Sequence, residues 1–345
     1  MRLRYVAVYG LFNSYDHIIE LNGEGLTFIH SLNGVGKSMT LKLINSLFLG
    51  DEASLLSIPF QRMDVKFDDG TIVFVDRRDG LKVRISKNEV DTDSTVKEIG
   101  MMYDVLYLSP DRNVIESDNG IIRNTIDVLV NDFNERMTAA IEDTNIVIGD
   151  RMCEDMDASD YVNRCKDIKA KMDFMSEAGI NVKLPSDVRF PPERMEYLDN
   201  KDRYRSLLYS LSRWVDRYYL LAESTVTYLD ILNGMFSNKR VIINEHNRLS
   251  IILDDGNNIP VNKLSAGEKQ VMIMFYGLLF LTHEEMTVII DEPEISLHVA
   301  WQQRLCNIFL NISRVRDIDI LVATHSPQII HDRWDLAQEL RADHA

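Results

Sequence analysis

The sequence predicts an α/β protein whose core is a mixed or parallel sheet with an antiparallel β subdomain, interrupted by a helical insertion. Three observations predict it. A short β-forming run at residues 26–30 leads through a glycine-rich loop into an apolar, helix-compatible stretch at 39–49, stopped by Gly50. The β-forming runs 65–67, 71–76 and 81–85 are separated by Asp69-Gly70 and Asp79-Gly80. Asp-Gly between such runs signals a hairpin, because Gly accepts the positive φ of the turn. From about residue 121 to 240 strand signals give way to helical ones, and afterwards strand–helix alternation returns. The expected organisation is a first lobe at 1–120, a helical insertion at 121–240 and a second lobe at 241–345.

In order, strands are expected at 3–9, 18–21 and 26–30, then through the meander, and again at 105–108 before Ser109-Pro110. Helices are expected over 121–148, 161–178 and 194–233, with Leu184-Pro185 through Pro191-Pro192 breaking the second from the third. Two more strands, 241–243 and 248–253, meet the turn Asp254-Asp255-Gly256. Residues 287–290 and 318–324 read as strands buried on both faces.

Composition narrows the class. A chain of 345 residues with 45% apolar content suits about two domains and needs no staples. The net charge of −16 excludes a generally basic nucleic-acid coat and leaves room only for a local basic groove. Cys153, Cys165 and Cys306 are odd in number and lack CxxC spacing, so they read as reduced thiols. The longest apolar run, 271–281, is about half the ~20 residues of a membrane span. Arg2 and Arg4 before an apolar stretch lack a small-residue cleavage site and fit an opening strand better than a leader. A soluble cytoplasmic protein without membrane partners is expected.

Four segments carry chemistry. Ser31-Leu32-Asn33-Gly34-Val35-Gly36-Lys37-Ser38 lies between a strand and a helix, as a phosphate-binding loop requires. Backbone amides from Asn33 through Met39 would surround phosphate oxygens, Lys37 would meet the β- and γ-phosphates, and Ser38 would offer its hydroxyl to Mg²⁺. Ser31 stands where such loops usually carry their first glycine, which requires an ordinary φ there. Asp291 and Glu292 end the strand at 287–290, where open α/β sheets bind ligands. Asp291 is the candidate metal ligand, and Glu292 the candidate base for an attacking water. Ser265 and Glu268 form a capping-box pattern that opens the helix before Leu281, presenting Ser265 and the Gly267 amide. His325 ends the last buried strand; a lone histidine is more often structural than chemical.

Taken in order, Asn33–Ser38, 264–270, 288–293 and 323–327 resemble the Walker A, signature, Walker B and switch-histidine elements of ABC-type ATPases, in the group with SMC-like, RecF-like and OLD-like proteins. Residues 3–21 are similar to the opening of that group, and 107–112 to the segment that carries its Q-loop, the candidates for that role being the Ser109–Arg112 segment and Gln61. The resemblance covers roughly 1–125 and 250–335. It implies an ATPase of the ABC-head fold that uses ATP and Mg²⁺ and forms a head-to-tail homodimer. Lys37 and Ser38 of one chain would face Ser265, Gly267 and Glu268 of the other across the γ-phosphate. Glu292 and His325 would be catalytic. His298 stands where many ABC proteins have the D-loop aspartate, which resembles the OLD-like and RecF-like branch.

The resemblance also implies a molecular switch that gates a separate effector, a nuclease or toxin, in bacterial anti-phage defence. The alternative is a RecF-like DNA repair clamp. Lys37 and Ser265 lie 228 positions apart, an interval too long for a transporter subunit and too short for an SMC arm. Within it, Lys201 to Tyr219 interleaves basic and aromatic residues, which suits DNA contact. Leu207, Leu208, Leu211, Trp214 and Tyr218 nevertheless recur at helical spacing, so a packed core face is the favoured reading. Residues 142–160 hold seven acids against Arg151 alone, a surface that repels DNA.

Overall fold

The computed structural model describes residues 1–32, 34–111, 114–116, 122–143, 146 and 157–340. Along the chain run β1 (Leu3–Leu11), β2 (Tyr15–Glu20), β3 (Leu26–His30), α1 (Lys37–Phe48), α2 (Glu52–Ser57), β4 (Arg62–Phe67), β5 (Ile72–Asp76), β6 (Lys82–Lys87), β7 (Val90–Ser94), α3 (Val96–Gly100), β8 (Val105–Leu108) and β9 (Val114–Glu116). Next come β10 (Ile122–Asn124), α4 (Thr125–Glu142), α5 (Ala158–Glu177), α6 (Arg194–Asp199), α7 (Lys201–Met235), β11 (Lys239–Ile243), β12 (Leu249–Leu253) and β13 (Asn258–Ile259). The last part holds α8 (Ala266–Phe280), β14 (Thr287–Asp291), α9 (Val299–Arg316), β15 (Asp319–Thr324), α10 (Pro327–Ile330) and β16 (Ala337–Glu339).

These elements divide into two compact units, Met1–Glu116 with Ser265–Ala345, and Ser117–Leu264. The first unit is α/β, and its described residues include a five-stranded and a six-stranded sheet. A five-stranded sheet has the order β16-β3-β15-β14-β8, and each neighbouring pair in it is parallel. Every residue of β14 and β15 is buried, as a central parallel strand covered on both faces must be. A six-stranded antiparallel sheet has the order β2-β1-β4-β5-β6-β7. Its inward side chains pack with Leu41, Leu43, Ile44 and Leu47 of α1 and with Ile289, Leu321 and Ala323 of the parallel sheet into one core. Helix α8 is buried nearly all round, which explains why its sequence shows no polar face.

In the second unit, α7 runs for 35 residues and packs along α5. Tyr204, Leu207, Leu208, Leu211 and Trp214 are buried, so the aromatic spacing belongs to a core. Arg203 pairs with Asp187, and Arg217 with Asp143 at 2.7 Å, where the Trp214 indole N–H also donates to the Asp143 carbonyl at 3.0 Å. Tyr204 and Trp214 are therefore core residues, while Tyr218 and Tyr219 are half-buried and Tyr209 is exposed. The antiparallel strands β11, β12 and β13 also fall in this unit, whereas the sequence reading groups them with the second lobe.

Boundaries differ where tertiary context decides. The helix expected over 194–233 breaks at Asn200, whose φ of −137° and ψ of 45° are non-helical, into α6 and α7. The helix expected over 121–148 is described as Thr125–Glu142. Residues 144–145 and 147–156, with Cys153 and three of the seven acids of the acidic run, lie outside the described residues. Cys165 and Cys306 are buried free thiols, and burial pushes both up from the ordinary thiol range. No described helix is long and apolar enough to cross a membrane.

Candidate functional site

The parallel register brings three of the four chemical segments, together with Tyr107, to one end of the sheet. Strands β3, β15, β14 and β8 are consecutive neighbours, and the loop at 31–36, His325, Asp291 and Tyr107 stand at or near their carboxyl ends. That edge is where open α/β sheets place ligands.

The loop before α1 turns through Gly34 and Gly36, with φ of 85° and 96°. The positive φ requires glycine at 36, and a β-carbon there would lie 2.9 Å from Leu11 Cδ2, so that side chain would have to shift. Gly36 is also the N-cap of α1 and supplies no side chain to the cap. The first helical hydrogen bond runs from Thr40 N–H to the Gly36 carbonyl at 2.9 Å. The amides of Lys37, Ser38 and Met39 thus precede the helical ladder and, with the helix dipole, favour an anion. The Met39 side chain packs on the core, which leaves only its backbone to contribute. Val35 is buried. Asn33 lies outside the described residues.

Lys37 is buried, and its ammonium donates to Ser31 Oγ at 2.9 Å, to the Ser31 carbonyl at 3.2 Å and to His325 Nδ1 at 3.3 Å. Burial holds its pKa below the usual lysine range, against the opposing charges of Glu292, Asp291 and Glu294. Ser31 is not among the residues with positive φ, so a serine fits there without strain. An ammonium only donates, so the geometry gives His325 Nδ1 the acceptor role and leaves its hydrogen on Nε2. Nε2 lies 3.5 Å from Glu292 Oε1. Lys37, His325 and Glu292 therefore form one chain of contacts across three segments.

Ser38 Oγ donates to Asp291 Oδ1 at 3.2 Å, and the Tyr107 hydroxyl donates to Asp291 Oδ2 at 3.0 Å. Asp291 is fully buried. Two hard oxygen donors, a hydroxyl and a carboxylate, fit Mg²⁺, which keeps several waters and is completed by phosphate oxygens. Among the described residues no group of three or more His, Cys, Asp or Glu could hold a metal ion. Glu292 adopts φ of 47°, a left-handed conformation that costs a non-glycine residue ~1–2 kcal/mol. Its N–H donates to the Ala323 carbonyl at 2.9 Å, which ties the strained residue to β15.

Ser265, Gly267 and Glu268 form the start of α8. Glu268 N–H donates to Ser265 Oγ at 3.3 Å, and Ser265 N–H to Glu268 Oε2 at 2.9 Å, a complete capping box. Such a cap contributes about 1 kcal/mol. A β-carbon on Gly267 would lie 2.3 Å from the Ser296 carbonyl oxygen, a backbone atom that no rotamer change can move. Gly267→Ala is therefore expected to destabilise the chain by ~1–3 kcal/mol, read as a lowered midpoint in thermal denaturation. An unchanged midpoint would show that this contact is loose.

Other residues take quieter roles. His298 Nδ1 accepts from Ala300 N–H at 3.2 Å and caps α9. Gln61 is exposed and its side chain lies against Gly10, while Arg112 is outside the described residues. Tyr107, two positions before the Ser109–Arg112 candidate segment, is the residue there that reaches the site. His17 on β2 is buried beneath the loop, with Nδ1 2.8 Å from Thr40 Oγ1, which itself donates to the Gly36 carbonyl at 3.1 Å. Burial lowers the His17 pKa from its usual range, with Asp16 opposing and Lys37 adding to the shift. The unfolded chain then takes up this proton first, so stability falls as the pH drops from about 6.5 toward the depressed folded value. Thermal melts from pH 7 to 5 should show a loss that is smaller in His17→Gln; equal losses would assign it to other groups.

Sequence reasoning did not place Tyr107 on Asp291, Glu294 on His325, or the Ser31 hydroxyl on Lys37. Glu294 Oε1 accepts from the His325 N–H at 2.6 Å. The signal for the first two lies in the parallel pairing Ile290↔Leu108 and Asp291↔Ala323, which a linear reading does not supply.

Comparisons with known proteins bear on the same segments. Residues 117–331 match the family described as "AAA domain, putative AbiEii toxin, Type IV TA system". A 145-residue stretch is 28% identical to "Retron Ec83 probable ATPase" of Escherichia coli, covering 37% of this chain and 26% of that protein. The match thus spans about a quarter of that relative's length. Among solved structures, the SMC head domain from Thermotoga maritima aligns over 100% of this chain and 98% of its own at 12% identity, with a TM-score of 0.49. The Smc head domain of Pyrococcus furiosus, with an extended coiled coil and bound to the C-terminal domain of ScpA, aligns over 95% and 91% at 13% identity, with a TM-score of 0.43. The family match takes in segments 264–270, 288–293 and 323–327, and the glycine-bearing loop before α1 precedes it in the chain. The chain belongs to the family described as "AAA domain, putative AbiEii toxin, Type IV TA system".

Proposed function

We propose that the protein is an ATP-driven molecular switch: it binds and hydrolyses ATP, closes head-to-tail with a second copy around the nucleotide, and gates a separate effector, a nuclease or toxin, in anti-phage defence. The observation that carries this reading is the convergence of Lys37, Ser38, Asp291, Glu292 and His325 at one sheet edge, through contacts of 3.2–3.5 Å. Gly34, Val35, Gly36, Lys37, Ser38 and Met39 would hold the triphosphate through amides and the ammonium. Ser38 and Asp291 would hold Mg²⁺, which supplies charge neutralisation between the phosphates. Glu292 would orient water and take its proton, while His325 would hold the γ-phosphate.

Ser265, Gly267 and Glu268 open a capped helix and would meet the nucleotide of the second copy. The family description, which names a putative toxin of a type IV TA system, supports a toxin–antitoxin or defence setting. The name of the partial relative, a retron ATPase, supports the same setting. The test is affinity capture of Glu292→Gln from its native host with Mg-ATP, read by mass spectrometry. A co-purifying nuclease or toxin supports the switch. DNA with repair proteins and no effector would replace it with the RecF-like clamp.

A further inference from the structure

Resting on the ATPase reading, a further role can be assigned to a residue beyond the four motifs. Glu294 lies three positions past the end of β14, in a tight turn. Within it Ile295 N–H donates to the Glu292 carbonyl at 3.3 Å and Leu297 N–H to the Glu294 carbonyl at 3.0 Å. Ser296, with φ of 64°, sits in the left-handed region. Two struts join this turn to the segment that carries His325. In the first, Glu294 Oε1 accepts the His325 backbone N–H at 2.6 Å. In the second, the Ser326 hydroxyl donates to Gln302 Oε1 at 2.7 Å, and Gln302 Nε2 donates to the Leu297 carbonyl at 3.0 Å. On its other side the Ser296 carbonyl lies against Gly267 at the start of α8.

The remaining oxygen, Glu294 Oε2, is buried and has no hydrogen-bond partner. A buried acceptor without a donor is costly, so the residue is kept in place by what its first oxygen does. A charged acceptor on a backbone N–H makes a shorter and stronger bond than a neutral one. It holds the backbone of the residue whose ring bridges Lys37 and Glu292. We propose that Glu294 is a positioning residue: it fixes the backbone of His325, and with it the ring, against Lys37 and Glu292, from a turn that also backs onto the signature helix. It touches neither water nor phosphate itself and acts through His325.

The experiment compares Glu294→Ala, Glu294→Asp and Glu294→Gln in the full chain, with Mg-ATP turnover, ATP affinity and thermal midpoint measured for each. Glu294→Ala removes the acceptor, and Glu294→Asp keeps the charge but shortens the reach. Both should lower kcat by about 10-fold or more, because a displaced reacting group is costly in rate, with KM and ATP affinity little changed. Glu294→Gln keeps an acceptor oxygen at the same reach and should recover most of the wild-type kcat. Wild-type turnover in Glu294→Ala and Glu294→Asp would overturn the proposal. So would a Glu294→Gln as slow as Glu294→Asp, or losses of ATP affinity and thermal midpoint that accompany the loss of rate. A wild-type chain no faster than Lys37→Ala would defeat the ATPase reading and this inference with it. A turning-over wild type with indifferent position-294 variants defeats this inference alone.

Discussion

Lys37→Ala is expected to lower ATP affinity by on the order of 100-fold, the loss that follows when one partner of a buried charge cluster is truncated. The side chain is buried among Asp291, Glu292 and Glu294, all of which favour its charged form. Its ammonium is the cation that the site presents to a triphosphate. Without it those carboxylates would face the phosphates unscreened, and like charges in a partly desolvated site repel strongly. The first helical amides would remain, so a weak anion site would survive. Fluorescent-nucleotide titration measures this directly. Wild-type affinity in Lys37→Ala would remove the phosphate-loop assignment.

Glu292→Gln should leave ATP binding intact and reduce turnover by about 10²–10⁴-fold, the range that a positioned general base contributes. Glutamine is nearly isosteric and accepts the same backbone constraint at φ of 47°. It keeps an oxygen to face His325 Nε2, now 3.5 Å from the carboxylate, but it cannot take a proton from water at neutral pH. The nucleotide should then stay bound as ATP. Chromatography of the bound nucleotide after incubation distinguishes trapped ATP from ADP. Unchanged turnover would assign the base to another residue.

Much of this site was legible because its signals are local. The loop at 31–38 announces itself through glycines that must take positive φ between a strand and a helix, and Gly34 and Gly36 do so. The buried strands β14 and β15 show as unbroken β-forming runs, and the capping box at Ser265–Glu268 is a spacing of three. What was not legible depends on pairing or on competition between neighbours. β7, Val90–Ser94, is almost wholly exposed, so it lacks hydrophobic alternation; pairing with β6 makes it a strand. The break at Asn200 carries neither glycine nor proline in its sequence and follows from how α6 and α7 end and start. Tyr107 and Glu294 enter the site only because β8, β14 and β15 lie side by side in register.

The central claim is that ATP closes two copies of this chain around the nucleotide. Sedimentation velocity of Glu292→Gln, with and without Mg-ATP, tests it most directly. The account predicts a monomer without nucleotide and a dimer with Mg-ATP, and no dimer when Lys37→Ala is added. A protein that binds ATP yet sediments identically in both conditions would contradict it.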